Sequence, residues 1–163
     1  MNPRMLIVSL CAAVLIAGCG DDGDSSTATG SGGASAADAT ERSKPKVEVP
    51  EGAPPKQLEV KDLIKGSGPA AAPGDVITVQ YVGVDYETGK QFDASWDNGQ
   101  PFTFQLGGGQ VIPGWDKGLD GMRVGGQREL VIPPDLAYGR AGQPPAIGPD
   151  ATLVFVIDLL GVE

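Results

Sequence analysis

Apolar and polar positions alternate through residues 76–84, with Ile77, Val79 and Tyr81 on one side and Thr78 and Gln80 on the other. Alternation of that length predicts a half-buried strand. The pattern recurs in Phe102-Thr103-Phe104-Gln105-Leu106, in Gln127 to Ile132 with Leu130 and Ile132 on one face, and in Thr152 to Leu160. That last strand sets Leu153, Phe155 and Ile157 against Val154, Val156 and Asp158. Leu58, Val60, Leu63 and Ile64 suggest an earlier strand that ends at Gly66-Ser67-Gly68-Pro69. A short strand from Gln91 to Ser95 follows the turn signal Glu87-Thr88-Gly89-Lys90 and, if regular, puts Phe92 and Asp93 on opposite faces. Residues 95–101 read as a loop, and Pro133-Pro134 stops the strand before it. Residues 135–149 read as a long loop containing Tyr138 and Ile147, and long loops on compact domains are often functional.

One stretch departs from the period of two. In Val111-Ile112-Pro113-Gly114-Trp115-Asp116-Lys117-Gly118-Leu119, Pro113 suits a first helical position, and Trp115 and Leu119 share a face four residues apart. A helix of about two turns, stopping by Gly121, is expected. So short a helix is stable only when its apolar face packs on a sheet. The fold class is therefore α+β: five or six antiparallel strands in a half-barrel sheet curling over one short helix.

The region before residue 56 reads differently. Met5 to Ala17 is a nearly all-apolar run of 13 residues, too short to span a bilayer and suited to the h-region of a signal peptide. Leu15-Ile16-Ala17-Gly18-Cys19 resembles the lipobox of bacterial lipoproteins. That resemblance implies removal of residues 1–18, acylation of Cys19, a membrane anchor, and a place in the bacterial cell envelope facing the periplasm or the exterior. Gly20 to Pro55 is poor in large apolar residues and is expected to be a disordered linker, leaving residues 56–163 as the folded domain. Asp21, Asp22 and Asp24 lack the later ligands of a calcium loop.

Charge and composition remove several function classes. A net charge of -9 is unsuited to a nucleic-acid binder. The chain has no histidine, which excludes Ser-His-Asp and Cys-His catalysis and histidine-ligated metals. Gly107-Gly108-Gly109 lacks the Gly-Lys-Ser/Thr ending of a P-loop. Asp116 and Asp120 share a helix face but read as solvated charge, nothing fixes a metal geometry for Asp85, Asp93 and Asp97, and Ser95 has no base to activate it. What remains is aromatic. Tyr81, Phe92, Phe102, Trp115, Tyr138 and Phe155 fall on inner faces or on the long loop; singly each reads as core, and together they suit the lining of an apolar pocket.

With Tyr81-Val82-Gly83, Gly89-Lys90-Gln91-Phe92-Asp93-Ala94-Ser95, Pro101-Phe102, Val111 to Trp115, Gly118-Leu119, Met122, Gly125, Ala137-Tyr138-Gly139 and Leu153-Val154-Phe155 in consistent order, the chain from about Leu58 to Glu163 resembles FKBP-type peptidyl-prolyl cis-trans isomerases. The resemblance implies a pocket between helix and sheet with Trp115 as its floor and Tyr81, Phe92, Phe102, Val111, Ile112 and Phe155 as its walls. It further implies that the Ile112 N–H and the Tyr138 hydroxyl hydrogen-bond ligand carbonyls and that Asp93 stands at the rim. Asn98, Gln143 and Ala146 depart from residues common in the family, and Trp96 is an unusual large aromatic. Trp96, Gln143 and Ile147 are accordingly expected at a reshaped, substrate-binding rim. No cofactor or metal is implied. The expected partners are proline-containing unfolded or exported polypeptides and macrolides of the immunosuppressant type, with no nucleic acid and a monomeric state. The expected activity is X-Pro bond rotation that assists folding. Alternatives are a lipid-anchored chaperone or tether that grips proline segments with little turnover, or a structural role at the envelope.

Overall fold

The structure, a computed structural model, describes residues 33–163. The expected signal peptide, the lipidation position Cys19 and the expected linker as far as residue 32 lie outside the described residues. A six-stranded antiparallel open sheet is built from β1 (Glu59–Ile64), β2 (Val76–Asp85), β3 (Gln91–Ala94), β4 (Phe102–Gln105), β5 (Gln127–Ile132) and β6 (Leu153–Val162). Its order is β1-β5-β6-β2-β3, and β4 pairs with the first part of β2 while β3 pairs with the last part. The helices are α1 (Ala36–Glu41), α2 (Ser95–Asn98) and α3 (Pro113–Gly118), with 3-10 turns at Pro134–Leu136 and Gly139–Ala141 in the long loop.

The helix α3 starts on Pro113, as its residue types predict, and closes at Leu119, whose N–H donates to the Trp115 carbonyl at 2.9 Å. Gly121 lies beyond it at φ +69°, so the helix ends before Gly121 after just under two turns, as expected. It sits very close to the sheet. A Cβ on Gly114 would come within 2.4 Å of Ile132, and one on Gly118 within 2.7 Å of Leu130. These two glycines let the helix backbone approach β5, and Trp115, projecting between them, is driven into the core. The front core joins Ile77, Val79, Phe104, Leu130, Ile132, Leu153, Phe155 and Ile157 to Trp115, Leu119 and Met122.

The back of the sheet is not a plain solvent face. Val82, Val84, Ala94, Val131 and Val154 form a second buried apolar cluster, and Val47, Val49 and Trp96 pack on it. The described part of the expected linker is therefore not free chain. Helix α1 begins with a capping box, in which Ser35 and Asp38 bond reciprocally, and buries Ala39. Ala34 N–H donates to the Lys65 carbonyl at 2.9 Å. Arg42 reaches a fully buried Asp158 at 2.5 Å and the Gly125 carbonyl at 2.6 Å. Few large apolar residues are needed here, because the sheet supplies the apolar surface and a buried carboxylate supplies the attachment point.

Asp158 is held between opposing influences: burial pushes its carboxyl up, while hydrogen bonds from Arg42 and Gln127 pull it down. Removing one partner of a buried ion pair strands the other. Arg42→Ala is expected to cost about 2–4 kcal/mol in urea unfolding of the full chain, whereas Arg140→Ala, at an exposed position, stays within about 0.5 kcal/mol. Equal losses for the two variants would mean that residues 34–49, a strap across the back of the sheet, rest loosely on it.

Candidate active site

Six aromatic rings meet where α3 faces the open side of β2, β4 and β6. Trp115 is 4% exposed and packs edge-on against Tyr81 at 5.1 Å and Phe155 at 5.2 Å between ring centroids. Phe104 lies behind it at 5.7 Å. Phe92 meets Phe155 at 5.5 Å, also edge-on, and Phe102 stacks on Phe104 at 5.3 Å. Edge-to-face pairs of this kind add about 0.5–1.5 kcal/mol each beyond area burial. The outer members stay open to solvent. Phe102 and Tyr138 are 39% and 36% exposed, and Tyr81, Phe92, Val111 and Ile112 are partly buried against the same cluster. The arrangement is an apolar cluster with a buried indole at its centre and an exposed edge at Phe102 and Tyr138.

The position of Phe92 and Asp93 depends on a bulge. On the β2–β3 ladder Gly83 pairs with Asp93 and Val84 pairs with Gln91, so Phe92 is the extra residue. The two residues expected on opposite faces consequently both serve the front: Phe92 against Phe155, and Asp93 accepting the Tyr81 O–H at 2.6 Å. A bulge re-aims side chains in this way and often sits beside functional sites. Gly83 makes room for it. A Cβ there would lie 2.7 Å from both the Phe92 and Phe155 rings.

After β3 the chain makes the single turn α2 instead of the expected loop. Gly99 closes it at φ +67°, and its N–H donates to the Trp96 carbonyl. Ser95, buried, accepts the Tyr81 N–H at 2.8 Å and donates to Gln80. This turn corrects one expectation. Trp96 is carried to the back cluster, away from the pocket rim, because a helical turn redirects a side chain that an extended loop would have left at the mouth. Ile147, also expected at the rim, is instead buried in the front core that contains Trp115, because paired backbone bonds of 2.9 and 3.0 Å with the exposed Gln143 fold the loop inward there.

The polar groups of the site are few. Burial, then the hydrogen bond and charge of Asp93, and last Tyr138, push the Tyr81 phenol far above its ordinary range. Burial first and the Asp93 charge second push Tyr138 up as well. Both phenols therefore stay protonated donors at neutral pH. Among the described residues the Trp115 Nε1–H is buried without an acceptor, and neither the Ile112 N–H nor the Tyr138 hydroxyl donates to a protein group. No cluster of His, Cys, Asp and Glu suited to a metal occurs among the described residues. The site thus offers apolar walls and unspent donors, with no activated nucleophile.

The family model for FKBP-type peptidyl-prolyl cis-trans isomerase matches residues 68–160, which includes every residue of this aromatic group. The chain is 54% identical over 120 residues to an FK506-binding protein of Streptomyces anulatus, covering 73% of this chain and 97% of the relative. It is 49% identical over 105 residues to an FK506-binding protein of Neisseria meningitidis, covering 64% and 95%. Among solved structures, it is similar to FkpA from Escherichia coli at a TM-score of 0.60, with 44% identity over 65% of this chain and 48% of that one. AtFKBP13 matches at a TM-score of 0.61 with 41% identity, covering 65% and 93%.

An alkaline titration checks the Tyr81–Asp93 bond. A phenol whose folded pKa is raised contributes stability that is fully present below the unfolded value, near 10, and is lost as pH rises through the folded one. Ultraviolet titration of the full chain is expected to show late-forming phenolate from Tyr81 and Tyr138, and Tyr81→Phe to reduce that late component. A Tyr81→Phe curve identical to wild type would contradict the assigned bond.

Proposed function

The chain belongs to the FKBP-type peptidyl-prolyl cis-trans isomerase family, and from that premise we propose that it catalyses X-Pro rotation in exported polypeptides at the Trp115 pocket, assisting their folding. The observation that carries this reading is the pairing of a buried indole with two unpartnered donors, the Ile112 N–H and the Tyr138 hydroxyl, beside exposed rings.

Rotation about a peptide bond is opposed by about 18–20 kcal/mol of resonance. In X-Pro the two isomers differ by only about 0.5–1 kcal/mol, so the reaction is slow but nearly balanced. No bond is cleaved, so no nucleophile is needed. The planar amide is more charge-separated than the twisted one. An apolar cavity that strips water from the amide favours the twisted form, which is binding energy realised at the transition state. In this reading the prolyl ring lies on Trp115 between Tyr81, Phe102 and Phe155. The Ile112 N–H and Tyr138 O–H hold flanking carbonyls while the bond turns. Asp93, engaged by the Tyr81 hydroxyl, fixes Tyr81 upright as a wall. The same surface suits a macrolide of the kind for which the relatives are named.

The extracytoplasmic placement rests on the lipobox-like Leu15 to Cys19 and the apolar run before it. Acylation of Cys19 with more than one chain gives stable anchoring, where a single chain does not. Ala34 lies 15 residues after Cys19, so a fully extended chain between them spans at most about 50 Å. The bound limits how far the domain reaches from a membrane when the strap is in place.

The test is a protease-free isomerisation assay on proline peptides with the full chain. Turnover is expected, with Tyr138→Phe lowering kcat/KM about tenfold, as loss of one hydrogen bond worth about 1.4 kcal/mol would give. With no histidine in the chain and both site phenols raised, kcat/KM is expected to stay flat between about pH 6 and 9. Tight peptide binding without turnover would favour a proline-gripping tether instead. Labelling of cells with an alkyne fatty acid checks the anchor: label is expected on the wild type and lost in Cys19→Ala.

A further inference from the structure

The strap formed by residues 34–49 crosses the back of the sheet and ends beside the segment that carries Phe92 and Asp93. Lys44 Nζ lies 2.5 Å from Asp97 Oδ1, and the other oxygen of Asp97 accepts from Gln91 Nε2 at 2.6 Å. These contacts, the Lys44 ammonium first and the Gln91 amide second, hold the Asp97 carboxyl below the usual carboxylate range. Gln91 and Asp97 stand one residue before and four residues after the bulged pair Phe92-Asp93. The ladder puts Gln91 opposite Val84, a member of the back cluster, while Asp93 is opposite Gly83 on the front. Val47 and Val49 pack on the same back cluster as Trp96, and Val49 is the nearest side chain to Gly89 in the β2–β3 turn. The segment between that turn and Gly99 is thus braced from behind by the strap, while its front bears a wall and the rim carboxylate of the pocket.

We propose that Lys44 is a positioning residue for the isomerase: through Asp97 and Gln91 it sets, from the far face of the sheet, the seat of Phe92 and Asp93, and with it the preference for the residue preceding proline. The chemistry follows from placement. With the prolyl ring on Trp115, the preceding side chain falls at the mouth, where Phe92 is half-buried and Asp93 exposed. A bulge leaves one residue outside the ladder, so Phe92 lacks the backbone pairing that would fix a regular strand. Side-chain ties on either side of it then decide how far it can shift. Trp96, absent from the rim, belongs to this brace through its packing on the back cluster.

The inference rests on the isomerase reading, and the experiment separates the two. Initial rates of the full chain are measured on peptides identical except for Ala, Leu, Phe or Glu before proline. Lys44→Ala and Asp97→Asn are each expected to change the Leu-to-Ala ratio of kcat/KM by about threefold, the double variant to change it no further, and Lys44→Arg to match wild type. A ratio is insensitive to a smaller folded fraction, which scales every peptide equally, and both side chains are too exposed for their loss to unfold the domain (34% and 53%). Ratios unchanged in both single variants, or effects that add in the double, would overturn the positioning role. No turnover by wild type on any peptide would overturn the isomerase reading itself, a result distinct from intact turnover with unchanged ratios.

Discussion

Edge-on packing of Trp115 against Tyr81 and Phe155 is the contact on which the rest of the molecule depends. It requires a helix close enough to the sheet for an indole to reach between strands. That closeness comes from Gly114 and Gly118, which face Ile132 and Leu130 without a Cβ. A six-residue helix has no stability of its own. The sheet holds the helix, and the helix in turn holds the indole around which the rings of the sheet's front face gather. Adding even a methyl at Gly114 would lift α3 from β5 and lower the floor out of register with its walls.

This design explains why a chain without histidine can be an enzyme. The reaction asks for a dry surface shaped to a twisted amide, and for donors already in place when the carbonyl turns. Reactive groups would add nothing. The polar side chains near the pocket are instead spent on holding rings: Ser95 grips the Tyr81 backbone, and Asp93 grips its hydroxyl. The buried Nε1–H of Trp115 is a cost the fold carries in order to present a flat, rigid base.

Much of the front of the molecule was legible from alternation. Ile77, Val79 and Tyr81 in β2, Leu130 and Ile132 in β5, and Leu153, Phe155 and Ile157 in β6 all enter the front core, with Tyr81 at its edge. Pro113 marks the start of α3. Of the rings singled out in the sequence, Tyr81, Phe92, Phe102, Trp115 and Phe155 pack together, joined by Phe104, which alternation alone places only in a strand, whereas Tyr138 makes no ring contact with them. The back of the sheet carries a signal of its own. Val154 and Val156 are as apolar as the residues beside them, so β6 carries a nearly continuous hydrophobic run, the pattern of a strand covered on both sides. That run called for a second cover, and a buried Asp158 within it called for a cation; Arg42, Val47 and Val49 meet those needs from a segment whose own composition suggests no fold. The bulge at Phe92 had no such signal. Register is decided by pairing with Gly83 and Val84, residues distant in sequence, and the turn α2 that sends Trp96 to the back follows from it.

The central claim is that the substrate proline rests on the Trp115 indole with Tyr81 and Phe155 beside it. Intermolecular nuclear Overhauser effects between a labelled full chain and an unlabelled X-Pro peptide test this most directly. The account predicts contacts from the prolyl ring protons to the rings of Trp115, Tyr81 and Phe155, and from the preceding residue to Phe92. Prolyl contacts confined to the back of the sheet, around Val49 or Trp96, with none to Trp115, would contradict it.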